Sequence, residues 1–152
     1  MNNKIPNIYS LIKDLSWYFG SQGFNGECCG DLTLAEFMTL KKVHENGNIT
    51  IQQIGITLNF TKGAVSKIID RLENKGYVSR EISSSDGRMC CVITTERGME
   101  TIKSITKQYS NFIEKALKDY DAEAIDNINS VLDILVESIQ RQGYIKEGKV
   151  IE

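Results

Sequence analysis

Two helix-start signals stand close together in the middle of the chain, and their spacing restricts the fold more than any other feature of the sequence. Thr50 is followed by Gln53 in a capping box, and Thr61 can cap a second helix. Between them, Asn59 can adopt the left-handed conformation that ends a helix. Because only a short helix fits before Asn59, the chain must turn at once into the next helix. The pattern predicts a helix-turn-helix.

The second helix of this pair is predicted to run from its cap at Thr61 to about Lys75, where Gly76 closes it. Its apolar residues recur at the spacing of one helix face: Val65, Ile68, Ile69 and Leu72. We expect that face to be buried. The opposite side carries small, polar and charged residues: Lys62, Gly63, Ser66, Lys67 and Asp70.

Two strands are predicted after this helix, at residues 77–82 and 88–93. The polar segment 83–87 between them has the residues of a hairpin turn. A helix-turn-helix followed by a β-hairpin is a winged helix, and we expect it between residues 50 and 94.

Further helices are predicted on both sides of the winged helix. A capping box at Thr33 and Glu36 opens one of them. Three others, at about residues 6–19, 95–116 and 121–139, carry apolar residues spaced alternately three and four apart. This spacing makes a seam for another helix. The seams either form a three-helix bundle within the monomer or interlock with those of a second copy.

The composition is that of a folded chain without a membrane span. Of 152 residues, 41% are hydrophobic and 25% are charged. No apolar run approaches the roughly 20 residues that cross a bilayer, and the amino-terminal segment lacks the apolar stretch of a signal peptide. We therefore expect a cytoplasmic protein. The net charge is −2, but segment 62–88 carries six basic and four acidic residues, so positive charge is concentrated in the winged helix.

A small, basic helix face of this kind suits the major groove of double-stranded DNA. Lysines at the amino-terminal end of the helix can reach guanine edges or phosphates, and a serine can donate to either. Arg88, just beyond the wing turn, is expected to enter the minor groove, with Asp86 holding it by an ion pair. The full set of predicted DNA contacts is Thr50, Thr61, Lys62, Gly63, Ser66, Lys67, Arg71, Asp86 and Arg88.

DNA binding also favours the dimer over the bundle, because a grip on a single half-site is usually too weak. The predicted fold is mainly α with a small β-hairpin wing, in one domain of residues 1–152. Within it, residues 31–94 form the winged helix-turn-helix lobe, and residues 4–20 and 96–145 form dimerisation helices.

The winged-helix segments resemble a known family. Residues 49–54 and 61–78 are similar to the MarR family of bacterial and archaeal regulators. Residues 86–88 resemble its wing signature, and residues 94–98 resemble the entry to its long fifth helix. The resemblance implies a homodimer with a triangular body that binds pseudo-palindromic DNA sites, usually as a repressor. Gly55 departs from the pattern, since the family usually carries alanine there, and should cost the short helix up to about 1 kcal/mol.

The cysteines are a second departure and suggest a signal. MarR-like proteins typically bind small phenolic or lipophilic ligands between the dimer helices and the DNA-binding lobe, and some sense oxidants or metals. Here two pairs occur, Cys28-Cys29 and Cys90-Cys91. Cys90 and Cys91 should point to opposite faces of the second wing strand. If that strand runs beside the loop of the first pair, thiolates from both pairs converge. They would then bind zinc, copper(I) or an arsenic(III)-type metalloid, or form a disulfide switch.

Two other interpretations of the signal stay open. The cysteines can pack simply as small buried hydrophobes. Alternatively, an organic inducer can bind a pocket lined by Tyr9, Trp17 and Tyr18, although aromatic residues at helical spacing also suit dimer packing. His44 can add a metal ligand, but it fits better as a solvated residue at a helix end.

Catalysis is disfavoured. The sequence has no glycine-rich phosphate loop, metalloprotease motif or nucleophile elbow, and a single histidine limits acid–base chemistry. No cofactor is required. The predicted function is a sequence-specific DNA-binding transcriptional regulator, a repressor released by a small ligand, a metal or metalloid, or thiol oxidation. The alternative is a winged-helix module that docks other proteins without binding DNA.

Overall fold

A computed structural model describes residues 3–20, 30–82, 90–142, 145–146 and 149–150. In chain order the elements are α1 (Lys4–Phe19), α2 (Leu34–Asn46), β1 (Ile49–Thr50), α3 (Ile51–Leu58), α4 (Lys62–Asn74), β2 (Val78–Ile82), β3 (Cys90–Thr94), α5 (Glu96–Ala116), α6 (Ala122–Gln142), β4 (Ile145–Lys146) and β5 (Lys149–Val150). The chain divides into two compact units, Met1–Thr106 and Lys107–Glu152. The first unit contains the predicted winged helix.

The predicted capping signals set the helix starts. At α2, the Thr33 hydroxyl accepts the Glu36 amide at 3.1 Å, and the Glu36 carboxylate accepts the Thr33 amide at 3.2 Å. At α3, Thr50 and Gln53 form the same reciprocal pair. Each box satisfies amides that a helix start leaves without partners. The boundaries predicted from these boxes are confirmed.

The turn between α3 and α4 explains the unusual glycine at position 55. Asn59 has the left-handed conformation predicted for it, with φ at 55°. The Phe60 amide then donates to the Gly55 carbonyl at 2.9 Å. A Cβ on Gly55 would lie 2.8 Å from the Phe60 carbonyl oxygen, closer than real contacts allow. The turn therefore closes on α3 more tightly than alanine permits.

The wing sheet contains one strand more than the sequence pattern predicted. Its order is β1-β3-β2, with both pairings antiparallel. Val92 lies at the centre, paired with Ile49 on one side and Arg80 on the other. The extra strand, β1, has only two residues, too few for an alternating pattern. The β3 strand runs from Cys90 to Thr94 and so ends one residue later than predicted.

The core of the first unit joins helices and sheet. The predicted apolar face of α4 is buried, as expected. It meets side chains from α2, α3 and the sheet, among them Leu40, Val43, Ile54, Val78 and Val92. Ile102 and Ile105, in the first turns of α5, are also buried. The fold thus fixes α4 from one side and leaves its other side exposed.

Neither α1 nor α6 has a buried residue. Both helices expose large apolar side chains: Ile5, Ile8, Tyr9, Leu11, Leu15, Trp17 and Tyr18 on α1, and Ile125, Ile128, Val131, Leu132, Ile134, Val136 and Ile139 on α6. A three-helix bundle closed within the monomer would bury such residues. That a second copy covers these side chains stays a prediction.

A buried carboxylate connects α2 with the carboxyl end of α4. The side chain of Glu36 is 2% exposed. One of its oxygens accepts from Arg71 Nε at 2.8 Å, and the other accepts from Lys75 Nζ at 2.9 Å. Lys75 also donates to the carbonyl of Asp31 at 2.7 Å, and the Tyr77 hydroxyl donates to the Asp31 carboxylate at 2.7 Å. Burial raises the pKa of Glu36, but the hydrogen bonds from Lys75 and Arg71 outweigh it and hold the pKa below its ordinary value.

Replacing Glu36 with glutamine should lower the free energy of unfolding by about 1–3 kcal/mol at pH 7, because the amide carries no negative charge and keeps only one acceptor oxygen for the two cations. Folding lowers the pKa of Glu36 from its ordinary value of 4.5. The carboxylate therefore stabilises the folded protein fully above pH 4.5, and this stabilisation is lost as the pH falls through the folded-state pKa. The unaltered protein should therefore lose stability on acidification more steeply than E36Q. Urea unfolding at pH 7 and at acidic pH measures both effects.

Glu45 provides the matched control, since it lies on the same helix and pairs with Lys42 at 3.0 Å but is exposed. An exposed pair contributes at most about 1 kcal/mol, so E45Q should change stability less than E36Q. Equal losses in the two variants would contradict the special role of the buried carboxylate.

Candidate nucleic-acid interface

The amino-terminal half of α4 presents the polar face that the sequence predicted. Thr61 caps the helix, with its hydroxyl accepting the Ala64 amide at 3.2 Å. Lys62, Gly63 and Lys67 are exposed, and Ser66 is half-buried. Because the opposite side of α4 is packed into the core, this face is held outward on a rigid support.

Charge is distributed unevenly along α4. In the described part of the chain, Lys62 and Lys67 have no ion-pair partner, whereas Arg71 and Lys75 bind Glu36. The acidic residues of the helix lie in its carboxyl half and are bound by an arginine of the sheet. The free positive charge of α4 is therefore at its amino-terminal end, where the helix dipole is also positive.

Arg71 holds a structural position that the sequence did not reveal. It was predicted as a DNA contact, and its side chain is 52% exposed. Its Nε nevertheless donates to the buried Glu36 carboxylate. The two residues lie far apart in sequence, so no local pattern could pair them. Contact of the remaining guanidinium nitrogens with DNA stays a prediction.

Arg80 on β2 was not predicted to have a role, yet it binds two carboxylates of α4. Its Nη2 donates to Asp70 Oδ1 at 2.6 Å, and its Nη1 donates to Glu73 Oε2. The hydrogen bond to Asp70 is the main cause that raises the pKa of Arg80, with a smaller opposing effect from burial. One guanidinium thus binds both acidic side chains of α4 and offsets one of their two negative charges.

Of the other predicted DNA contacts at Thr50, Asp86 and Arg88, the structure describes only Thr50. The Thr50 hydroxyl accepts the Gln53 amide at 3.2 Å within the α3 cap, and the residue is half-buried. Asp86 and Arg88 lie outside the described residues. Their predicted roles at the wing stay predictions.

The cysteines of β3 lie on opposite faces of the strand, as the alternation predicted. Cys90 is exposed and Cys91 is buried. Cys90 shares a face with Val92, and Cys91 is paired with Thr50 and Glu81 on the other face. Adjacent strand residues diverge, so these two thiols do not point at one ion.

The remaining parts of the metal hypothesis stay untested. Cys28 and Cys29 lie outside the described residues. Among those described, no group of three or more histidine, cysteine, aspartate or glutamate side chains is arranged to hold a metal ion. His44 is exposed near the end of α2. In the same part of the chain, no helix is long and apolar enough to span a membrane.

Comparison with known proteins relates this winged helix to a family. Residues 32–89 match the model of the MarR family. Over this segment the winged helix is similar to that of the MarR family. The chain is 27% identical over 103 residues to the HTH-type transcriptional regulator YcgE of Bacillus subtilis, covering 65% of this chain and 67% of that protein.

Solved MarR structures have the same fold. A MarR family protein from Bacillus stearothermophilus superposes with a TM-score of 0.78 at 17% identity, covering 91% of this chain and 97% of the other. FabT of Streptococcus pneumoniae, solved in complex with DNA, superposes with a TM-score of 0.71 at 21% identity, covering 92% and 99%. The mainly helical architecture with a small wing sheet, predicted from sequence, is thereby confirmed.

Two glycines of the helix-turn-helix should respond oppositely to alanine. No described atom lies within 4 Å of a Cβ placed on Gly63, so Gly63→Ala should raise the free energy of unfolding by about 0.5–1 kcal/mol through better helix propensity. Gly55→Ala gains the same helix propensity but forces the Phe60 carbonyl to move. We therefore expect this variant to have a lower free energy of unfolding than the unaltered protein. Urea unfolding of both variants measures the difference. Stabilisation by both would contradict the tight turn.

Proposed function

We propose that this DNA-binding transcriptional regulator inserts the amino-terminal end of α4 into the major groove of a pseudo-palindromic operator. The observation that carries the proposal is the outward face of α4, where Lys62 and Lys67 lack ion-pair partners among the described residues. Gly63 between them leaves room for a phosphate or base edge to approach the helix backbone. Such an arrangement is what base and phosphate contacts in the major groove require.

The relatives support this assignment. YcgE is named as a transcriptional regulator, and the FabT structure contains DNA. In the proposed complex, Lys62, Ser66 and Lys67 contact bases and phosphates. Arg88 enters the minor groove from the wing, with Asp86 orienting it.

A homodimer is part of the proposal. Two copies related by a two-fold axis would place two recognition helices against the two halves of a pseudo-palindrome. The exposed apolar faces of α1 and α6 support this arrangement, because water-exposed surfaces of this extent are unfavourable in a single chain. Without the second copy, each wing and recognition helix would bind only one half-site.

We further propose that the protein is a cytoplasmic repressor without catalytic activity, released from DNA by an inducer. An organic ligand, a metal or metalloid, or thiol oxidation can serve as the signal. Because Cys90 and Cys91 point to opposite faces of β3, a thiol site would use one of them together with Cys28 or Cys29. Binding of one ion by Cys90 and Cys91 alone is disfavoured.

DNA binding should depend on the free lysines. If the lysine contacts a base, Lys62→Ala and Lys67→Ala should each weaken binding by about 1–3 kcal/mol. If it contacts a phosphate, each variant should reduce the slope of log K against log salt concentration by about one. Fluorescence anisotropy measures this with a duplex from the region upstream of the protein's own gene and a scrambled duplex. Gly63→Ala should also weaken binding, although it stabilises the fold.

The matched control is Lys41→Ala, which removes an exposed lysine from α2 that pairs with Glu45 at 3.7 Å. It should leave affinity almost unchanged. Binding that is insensitive to salt and to DNA sequence in the unaltered protein would instead support a module that docks other proteins.

Dimerisation should depend on the apolar face of α6. Ile128 is 38% exposed in the single chain, and Ile128→Glu would place a charge in the proposed interface. Light scattering at micromolar concentration should give the mass of two chains for the unaltered protein and of one chain for I128E. The control, Ile56→Glu, changes an isoleucine of α3 that is 74% exposed and should stay dimeric. A monomeric unaltered protein would overturn the dimer.

A further inference from the structure

The recognition helix carries two carboxylates on the side that the proposed function turns towards DNA. Asp70 follows Lys67 by one helical turn on the exposed face, and its side chain is 60% exposed. Glu73 lies one turn further and is 40% exposed. Left alone, they would bring two negative charges to the surface that faces DNA phosphates, where salt screens repulsion only partly within a Debye length of about 8–10 Å.

Arg80 binds both carboxylates and offsets one of their two negative charges. Its side chain is 29% exposed, and each terminal nitrogen donates to one of the two acids. The backbone holds it in place, because Arg80 is paired with Val92 in the middle of the wing sheet. The guanidinium is thus fixed between the sheet and α4, on the carboxyl half of the helix.

We infer that Arg80 raises the affinity for DNA without touching it, by offsetting one of the two negative charges of Asp70 and Glu73. The inference rests on the proposed insertion of α4 into the major groove. Arg80 therefore acts through these two carboxylates: it makes the surface of α4 beyond Lys67 less negative. When it is absent, the two acids face the phosphates unpaired, and affinity falls for every DNA sequence.

Two rival roles for Arg80 lead to different results. If its ion pairs matter because they anchor the wing to α4, removal of the acids should weaken DNA binding as much as removal of the arginine. If Arg80 itself contacts DNA, removal of the acids should not restore binding once the arginine is gone. Charge compensation alone predicts that removing the acids rescues the loss.

The test compares Arg80→Met, the double variant Asp70→Ala/Glu73→Ala, and the triple variant that combines them. Affinity is measured by fluorescence anisotropy at several salt concentrations, on the upstream duplex and on a scrambled duplex. R80M should bind both duplexes about tenfold more weakly at low salt, with the deficit shrinking as salt rises. The double variant should bind as tightly as the unaltered protein or more tightly, and the triple variant should recover to within about threefold of it.

Arg141→Met is the matched control. Arg141 lies on α6, pairs with Glu137 at 3.5 Å and is 75% exposed, so the variant loses the same charge outside the winged helix. It should bind DNA like the unaltered protein. Thermal unfolding of each variant checks the fold. If R80M does not fold, the double variant still tests the inference, because weaker DNA binding by it than by the unaltered protein would overturn the inference.

A triple variant as weak as R80M, or R80M as tight as the unaltered protein, would also overturn the inference while leaving DNA binding established. Failure of the unaltered protein to bind either duplex would be a different result. It would overturn the proposed function, and the role of Arg80 with it.

Discussion

The ion pairs of Glu36 hold the parts of the winged helix in register. This carboxylate is buried at the start of α2, and it binds Arg71 and Lys75 at the far end of α4. A buried charge is costly unless it is fully paired, so the two cations and the capping amide must stay in place together. Through Lys75 the same cluster reaches the backbone at Asp31. One side chain thus links the recognition helix to the start of α2 and, through Lys75, to the backbone at Asp31.

The two halves of α4 therefore differ in what they bind. Its carboxyl half is bound to the scaffold through Glu36 on one side and Arg80 on the other, and its acidic groups are paired there. Its amino-terminal half has no such bonds in the described chain and keeps Lys62 and Lys67 for an external partner. A helix secured at one end can present the other end with little loss of conformational entropy on binding, which favours affinity.

The large apolar residues of α1 and α6 are the basis of the proposed homodimer. They are exposed on helices that contain no buried residue, while the winged helix has its own core. In a homodimer, the same faces would set the separation of the two recognition helices. An inducer that alters the packing of these helices would change that separation, which is a physical route from a signal to release from DNA.

The sequence by itself determined the elements and their faces. Capping at Thr50 and Thr61, the left-handed Asn59 and the apolar spacing of α4 all depend on residues within a few positions of one another, and each was confirmed. Only the tertiary structure decided which charges are free. From its neighbours in sequence, Arg71 is predicted to be an exposed basic residue, but it binds Glu36. Arg80 is predicted only to be part of a strand, but it binds Asp70 and Glu73. The partners come from different elements, so their pairing exists only once packing has brought those elements together.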